Sequence, residues 1–338
     1  MHSSCNDSSY FLRRGDKVSI GKVGIIRTHS PSPRRRCGWW NCATTGSTRR
    51  TRTVLTVGFV GCGRAGRVLG HLWHRGGVFR IGPVLTRSPA SAADAVRRIG
   101  AGTPLESPAG LAPADVLVLA TPDRFLADAA AGLAGSGAVA LHLSGALPSA
   151  LLREAGLGGP VAGIHPAHSF GDFAHSVRSF GGTWCACEGD EAALEVLKPA
   201  FAVIGGRPFA IDPGRKLAYH AAGVMATNYL NALAATSLDT FVLAGIGRDT
   251  ASALLAPVLR GVVENIVARG PGASLTGPIA RGDRQLVEAE LDLLRRLDPA
   301  LAEVYRVMGR RTLTLAMAQG ELDPDAAAGL EAVLGTES

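Results

Sequence analysis

A chain of 338 residues that is 46% hydrophobic and 19% charged is long enough for two ordinary domains and too apolar to be wholly disordered. Its formal net charge of +7 is unevenly placed: residues 1–53 carry 11 of the 35 Lys and Arg but 2 of the 28 Asp and Glu, which leaves 24 basic against 26 acidic residues in the remainder. Nucleic acid is therefore not an expected partner of the globular part, which lacks dense basic clustering. Six cysteines, three of them at Cys5, Cys37 and Cys42, make no closely spaced disulfide framework, so a reducing cytoplasm is expected. No apolar run reaches the ~18–20 residues of a membrane helix. The charge-free stretch Leu217 to Leu238 holds His220, Thr227, Asn228 and Asn231, which predicts a buried helix and no membrane association.

Residues 1–53 are rich in Ser, Thr and Arg and show no helical or strand period, which predicts a disordered basic tail. An inert extension is the leading reading, with a transit peptide or a nucleic-acid segment as alternatives. From Val54 the character changes. Residues 54–60 form a compact β-type run, followed by Gly61-Cys62-Gly63-Arg64-Ala65-Gly66 and by Val68, Leu69, Leu72 and Trp73 at helical spacing. This order of strand, glycine turn and helix is the context a dinucleotide fingerprint requires. Gly61 permits the tight turn, Gly63 lets the backbone approach a pyrophosphate, and Gly66 lets helix and strand pack closely. Cys62 reads as a small packing residue.

The second strand, Phe79 to Leu85, ends at Thr86-Arg87-Ser88, where NAD-specific folds carry an acid for the ribose 2′-hydroxyl. Arg87 and Ser88, helped by Arg64, suit a 2′-phosphate instead, so NADP(H) is the expected cofactor, with an ordinary surface arginine as the alternative. Strand-like runs follow at 115–120, 138–143 and 161–164, separated by alanine-rich helical segments, which predicts a doubly wound Rossmann-type α/β sheet. Ligands bind such sheets at the carboxyl ends of the strands, here Thr121-Pro122-Asp123, Ser144-Gly145 and His165-Pro166. Asp123 and Ser144 have helix capping as an alternative role, and His142 reads as a core histidine. Residues 181–188 and 207–211 extend the sheet before Asp212-Pro213-Gly214. Cys185 and Cys187 share one strand face, but no second ligand pair completes a metal site, so no metal is expected.

The rest reads as helix: 216–242, 249–268, 283–297 and 299–318. The expected division is a tail over 1–53, a nucleotide domain over 54–212 and an all-helical domain over 213–333. On a 100° wheel Lys216, Gly223, Thr227, His220 and Asn231 fall on one side of the first helix, with Asn228 on its flank. Polar groups on so apolar a helix must be hydrogen-bonded or face a cleft. A catalytic cleft satisfies them. A buried lysine paired with an acid from another helix, with polar contacts at a subunit interface, does so too.

These segments together resemble the Rossmann-like oxidoreductases with a C-terminal domain of unknown function 2520, relatives of ketopantoate reductase, pyrroline-carboxylate reductase and 6-phosphogluconate dehydrogenase. The resemblance rests on the glycine loop, Thr121-Pro122-Asp123, His142 to Gly145, His165-Pro166 with Phe170, Lys216 to Asn228, Asn265, and Leu275-Thr276-Gly277-Pro278 with Arg281-Gly282-Asp283. It implies an NADP-binding domain, a 6-phosphogluconate dehydrogenase-like helical domain that forms a homodimer, and a catalytic lysine and asparagine that match Lys216 and Asn228. His220 is then expected to orient Lys216 or bind a carboxylate. Ser144, His165, Asn231, Thr276 and Asp283 are expected around the substrate, and a branched 2-keto acid such as ketopantoate is the leading substrate. A cyclic imine reductase and a non-catalytic NADP-binding sensor are the alternatives.

Overall fold

The computed structural model describes residues 54–111 and 114–335, so the expected basic tail over 1–53 lies outside the described residues. Eight strands form one sheet in the order β3-β2-β1-β4-β5-β6-β7-β8. They are β1 (Thr56–Val60), β2 (Arg80–Leu85), β3 (Thr103–Leu105), β4 (Val116–Leu119), β5 (Val139–His142), β6 (Val161–Pro166), β7 (Trp184–Gly189) and β8 (Arg207–Ala210). All neighbours are parallel except β6 and β7, which run antiparallel and place Gly163 opposite Glu188. Strands β1 and β4 are buried at every position, as expected of central strands covered on both faces.

Helices α1 (Arg64–Arg75), α2 (Pro89–Ile99), α5 (Phe173–Ser179) and α6 (Glu191–Val203) belong to one face, and α3 (Leu126–Ala131) and α4 (Ala150–Glu154) to the other. The first face is centred on Trp73 of α1, whose Nε1 donates to the Ala200 carbonyl at 3.1 Å and whose ring meets Phe79 and Phe201 edge-on. The second is built from Leu117, Leu119, Leu126, Ala130, Leu152 and Leu157. Local chemistry sets the ends of these elements. Ser88 caps α2 by accepting from the Ser91 amide, Pro89 follows it, and Gly100 closes the helix at φ 90°.

After β8 the chain is helical: α7 (Lys216–Val224), a π-helical turn over Met225–Tyr229, α8 (Leu230–Leu243), α9 (Arg248–Arg269), α10 (Arg284–Leu297), α11 (Pro299–Met317) and α12 (Pro324–Leu334). Asp283, Asp298 and Asp323 cap the last three. Ile279, Val287, Leu313, Leu330 and Leu334 form a core among them. By contrast α8 has no buried residue and α9 has only Ala251 and Leu255, although the two pack on each other as a hairpin. Helix α9 is the one helix among the described residues that is long and apolar enough to cross a membrane. The sequence pattern passed over it because Arg260 and Glu264 interrupt the run.

Candidate functional site

The turn after β1 is held open by small residues. Gly61 sits at φ 71°, and a Cβ there would lie 2.6 Å from Thr121 Cγ2. Gly66 faces Ala120 and the Cys62 sulfur at 3.1 and 3.3 Å, so glycine is needed for α1 to close on the strands. Gly63 is the N-cap of α1, carries no side-chain cap and has open space where a Cβ would be. Cys62 is a packing residue whose thiol is pushed up to about 12 by burial. Arg67 ties this loop to α2: its Nε donates to the Cys62 carbonyl at 3.0 Å and its guanidinium pairs with Asp94 at 2.8 Å.

Beside the loop lies a cavity of about 790 Å³, lined by Gly61, Cys62, Gly63, Arg67, Thr86, Arg87, Ser91, Thr121, Pro122, Arg124 and Phe125. Three arginines surround it. Phe125 is 48% exposed and lies under the Arg124 guanidinium at 4.6 Å, a flat apolar surface suited to stacking. Thr121 Oγ1 is buried without a hydrogen-bond partner among the described residues, a group that a bound ligand would satisfy. The residues present therefore fit a dinucleotide, with phosphates at the uncapped start of α1. Arg64 and Ser88 are not among the cavity's lining residues. Arg64 borders a smaller hollow with Arg98 and Asp172, and the Ser88 hydroxyl is engaged as the α2 cap. Arg67, Arg124 and Phe125 were missed in the sequence because nothing in their spacing separates them from ordinary surface residues.

At the carboxyl ends of β4, β5 and β6 a second group of polar side chains converges. Ser144 Oγ donates to Asp123 at 2.8 Å and accepts from the Ala146 and Leu147 amides at 3.1 and 3.0 Å. Its hydrogen-bonding capacity is spent on the turn, so Ser144 shapes the site instead of reaching a substrate. Asp123 is exposed and caps no helix. His165 is half-buried, with Nδ1 3.0 Å from the Tyr219 hydroxyl. His220 stands beside it, ring centroids 6.5 Å apart, and a Cβ on Gly145 would lie 3.0 Å from both rings. Burial first, then the charges of His220 and Lys216, lower His165 to about 4 against the opposing charge of Asp123.

Lys216 is buried beside this group, and its charge acts on His165. Its side chain has no exposed surface, and Nζ pairs with Glu188 Oε1 at 2.9 Å. Glu188 in turn accepts from the Ser149 amide and hydroxyl at 2.9 and 2.7 Å. Burial lowers the lysine pKa while Glu188 opposes the shift. Lys216 is thus one half of a buried ion pair, and its acid comes from strand β7 and not from another helix. Asn228 and Asn231 are both exposed, Asn228 within the π-helical turn and Asn231 just beyond it. That turn breaks the 100° phase on which the wheel relied. Asn228 Oδ1 accepts from the Thr227 hydroxyl at 3.1 Å. Thr276 borders a groove among α8, α10 and α11, and Asp283 accepts from the Leu286 amide as a cap. Of the expected substrate and catalytic residues, His165 and His220 come together, with Ser144 behind them.

Residues 41–166 match the model of a Rossmann-like domain, and residues 183–312 match a domain of unknown function, DUF2520. Among solved structures, the protein TM1727 from Thermotoga maritima is 29% identical, with 78% of this chain and 100% of that one covered at a TM-score of 0.62. The protein BF3122 from Bacteroides fragilis, described as a candidate NADP oxidoreductase, is 18% identical over 77% of this chain and 98% of its own at 0.63. A 1-pyrroline-5-carboxylate reductase from Streptococcus pyogenes is 13% identical, covering 78% and 99%, at 0.53. No curated protein matches the sequence.

Proposed function

Because the chain belongs to the Rossmann-like proteins that carry a C-terminal DUF2520 domain, we propose that it is an NADPH-dependent oxidoreductase that reduces the carbonyl of a small carboxylate, a branched 2-keto acid such as ketopantoate foremost. The observation that carries this reading is the adjacency of two sites: the arginine-lined cavity on the glycine loop and the His165, His220 and Asp123 group at the neighbouring strand ends. When bound, the dihydronicotinamide supplies a hydride. Gly61, Gly63 and the start of α1 would hold the diphosphate, Arg87 a 2′-phosphate, and Phe125 with Arg124 the adenine face. BF3122, of the same fold, supports the choice of NADP by its description. Asp123 favours one second reading, a cyclic imine, since its carboxylate would steady an iminium cation. The test is NADPH oxidation against ketopantoate, other 2-keto acids and cyclic imines. Tight NADPH binding with no turnover on the whole panel would instead fit a sensor of cofactor state.

The proposed macromolecular partner is a second copy of the chain. On α9, Leu254, Val258, Val262 and Ile266 recur every four residues as an exposed stripe that the described residues leave uncovered. The groove of about 590 Å³ among α8, α10 and α11 is lined by Leu233, Ile279, Leu293, Val304 and Met308. Its hydroxyls on Thr236, Ser237, Thr240 and Thr312 all donate to carbonyls of their own helix, which leaves the lining apolar. Sedimentation of the intact chain should give a dimer, and a monomer at micromolar concentration would refute the pairing.

A further inference from the structure

Helix α7 starts at Lys216, whose ion pair with Glu188 fixes its first turn against β7. Tyr219 and His220 follow at the third and fourth positions, one turn on, and this brings both to His165 at the end of β6. Of the groups gathered there, Lys216 is sealed, the Ser144 hydroxyl is committed to Asp123 and two amides, Asp123 can only accept, and His220, unlike His165, has no hydrogen bond among the described residues to fix its tautomer. A developing oxyanion needs a donor.

We propose that His165 is that donor, presenting Nε2–H to the carbonyl oxygen of the substrate, and that Tyr219 is the positioning residue that fixes its tautomer. The assignment rests on the reductase reading above. The Tyr219 hydroxyl has no other hydrogen-bond partner among the described residues, so both groups are satisfied when the phenol donates to Nδ1 and the ring proton sits on Nε2. Gly145 borders the Nε2 edge with backbone alone, since a Cβ there would stand 3.0 Å from Nε2. A neutral imidazole is a competent electrophile because it donates without bringing a charge. As hydride adds to the carbonyl carbon, the π pair moves onto oxygen and is steadied by Nε2–H. That oxygen then takes a proton from water, leaving hydroxide, and the cofactor departs oxidised. His165 is restored without ever losing its proton.

The groups facing His165 are Tyr219, His220 and Lys216 from α7 and Asp123 from the β4 end. Burial, with His220 and Lys216, keeps the ring neutral well below pH 6.5 against the opposing charge of Asp123. The experiment is long-range proton–nitrogen NMR of the full chain labelled at histidine nitrogen, with the His165 signals assigned by their loss in His165→Gln. At pH 7 the expected result is a neutral ring protonated on Nε2 that does not titrate between pH 8 and 5. Oxamate, an unreducible 2-keto acid mimic, should shift Nε2 when NADPH is present. Tyr219→Phe should give mixed tautomers and at least tenfold weaker oxamate binding. A proton on Nδ1, an imidazolium at pH 7, or a His165 unresponsive to oxamate while NADPH is bound would overturn the donor assignment alone. Absence of NADPH binding in a parallel titration would overturn the reductase reading and the assignment with it.

Discussion

Lys216 and Glu188 carry charge into the buried interior, and Gly163 makes that possible. A Cβ at Gly163 would lie 2.6 Å from the Lys216 nitrogen and overlap Glu188 Oε1. Removing one partner leaves the other charge buried and alone, so Lys216→Ala should lose about 3–5 kcal/mol of folding stability by denaturant titration. The double change Lys216→Met with Glu188→Leu should recover most of it, and an unaffected single variant would show that the pair is solvated. Histidines set the acid limit. His142 is lowered to about 3 by burial and then by Lys216, and His165 to about 4. Both bind a proton more readily unfolded than folded. Their contribution is therefore complete above pH 6.5 and is lost as pH falls from there toward about 4 for His165 and about 3 for His142. The melting temperature should drop across that window, and less steeply in His142→Gln. The lysine itself was legible as a charge at the head of an apolar helix. Its partner was not, because Glu188 reaches it only through the antiparallel register of β7 on β6, which no local pattern encodes.

At the level of elements, the strand, glycine turn and helix around Gly61 were readable because each glycine answers a local steric need. Helix α2 is started by Ser88 and Pro89, although in the sequence Ser88 reads as a 2′-phosphate ligand instead. Its N-terminus next to Arg87 makes a specific forecast: Arg87→Ala should weaken NADPH by about 1.5–3 kcal/mol in calorimetry and leave NADH nearly unchanged. Equal losses for both cofactors would remove the 2′-phosphate assignment. Two elements escaped the pattern. Strand β3 is three residues long with Pro104 at its centre, and α12 lies beyond the last amphipathic run that the sequence displayed. The π-helical turn escaped for another reason. Its residues Met-Ala-Thr-Asn-Tyr have ordinary helical composition, so nothing marks the point where the helix changes pitch. Asn228 lies within that change and Asn231 just beyond it, so the wheel's phase carries to neither. In consequence Asn228→Ala should alter kcat and KM by less than threefold, whereas Tyr219→Phe should lower kcat tenfold or more.

Across the whole molecule, apolar surface is distributed unequally. The sheet encloses most of its large side chains, while the π-helical turn and α9 leave Met225, Tyr229, Val258, Val262 and Val267 between 50 and 82% exposed. Burying that surface against a second copy is the economical arrangement, and a charge placed in its middle should prevent it. Val262→Arg should therefore yield monomers by sedimentation while the glycine-loop cavity, on the other part of the fold, still binds NADPH. Loss of NADPH binding in that variant would show that the two halves depend on one another. The stripe on α9 also bears on how quickly the protein can be made. If its cover comes from another chain, the final step to the working state is an encounter between two molecules and not a rearrangement within one. Recovery after dilution from denaturant should then follow second-order kinetics, with the half-time of regained activity halving each time the chain concentration is doubled.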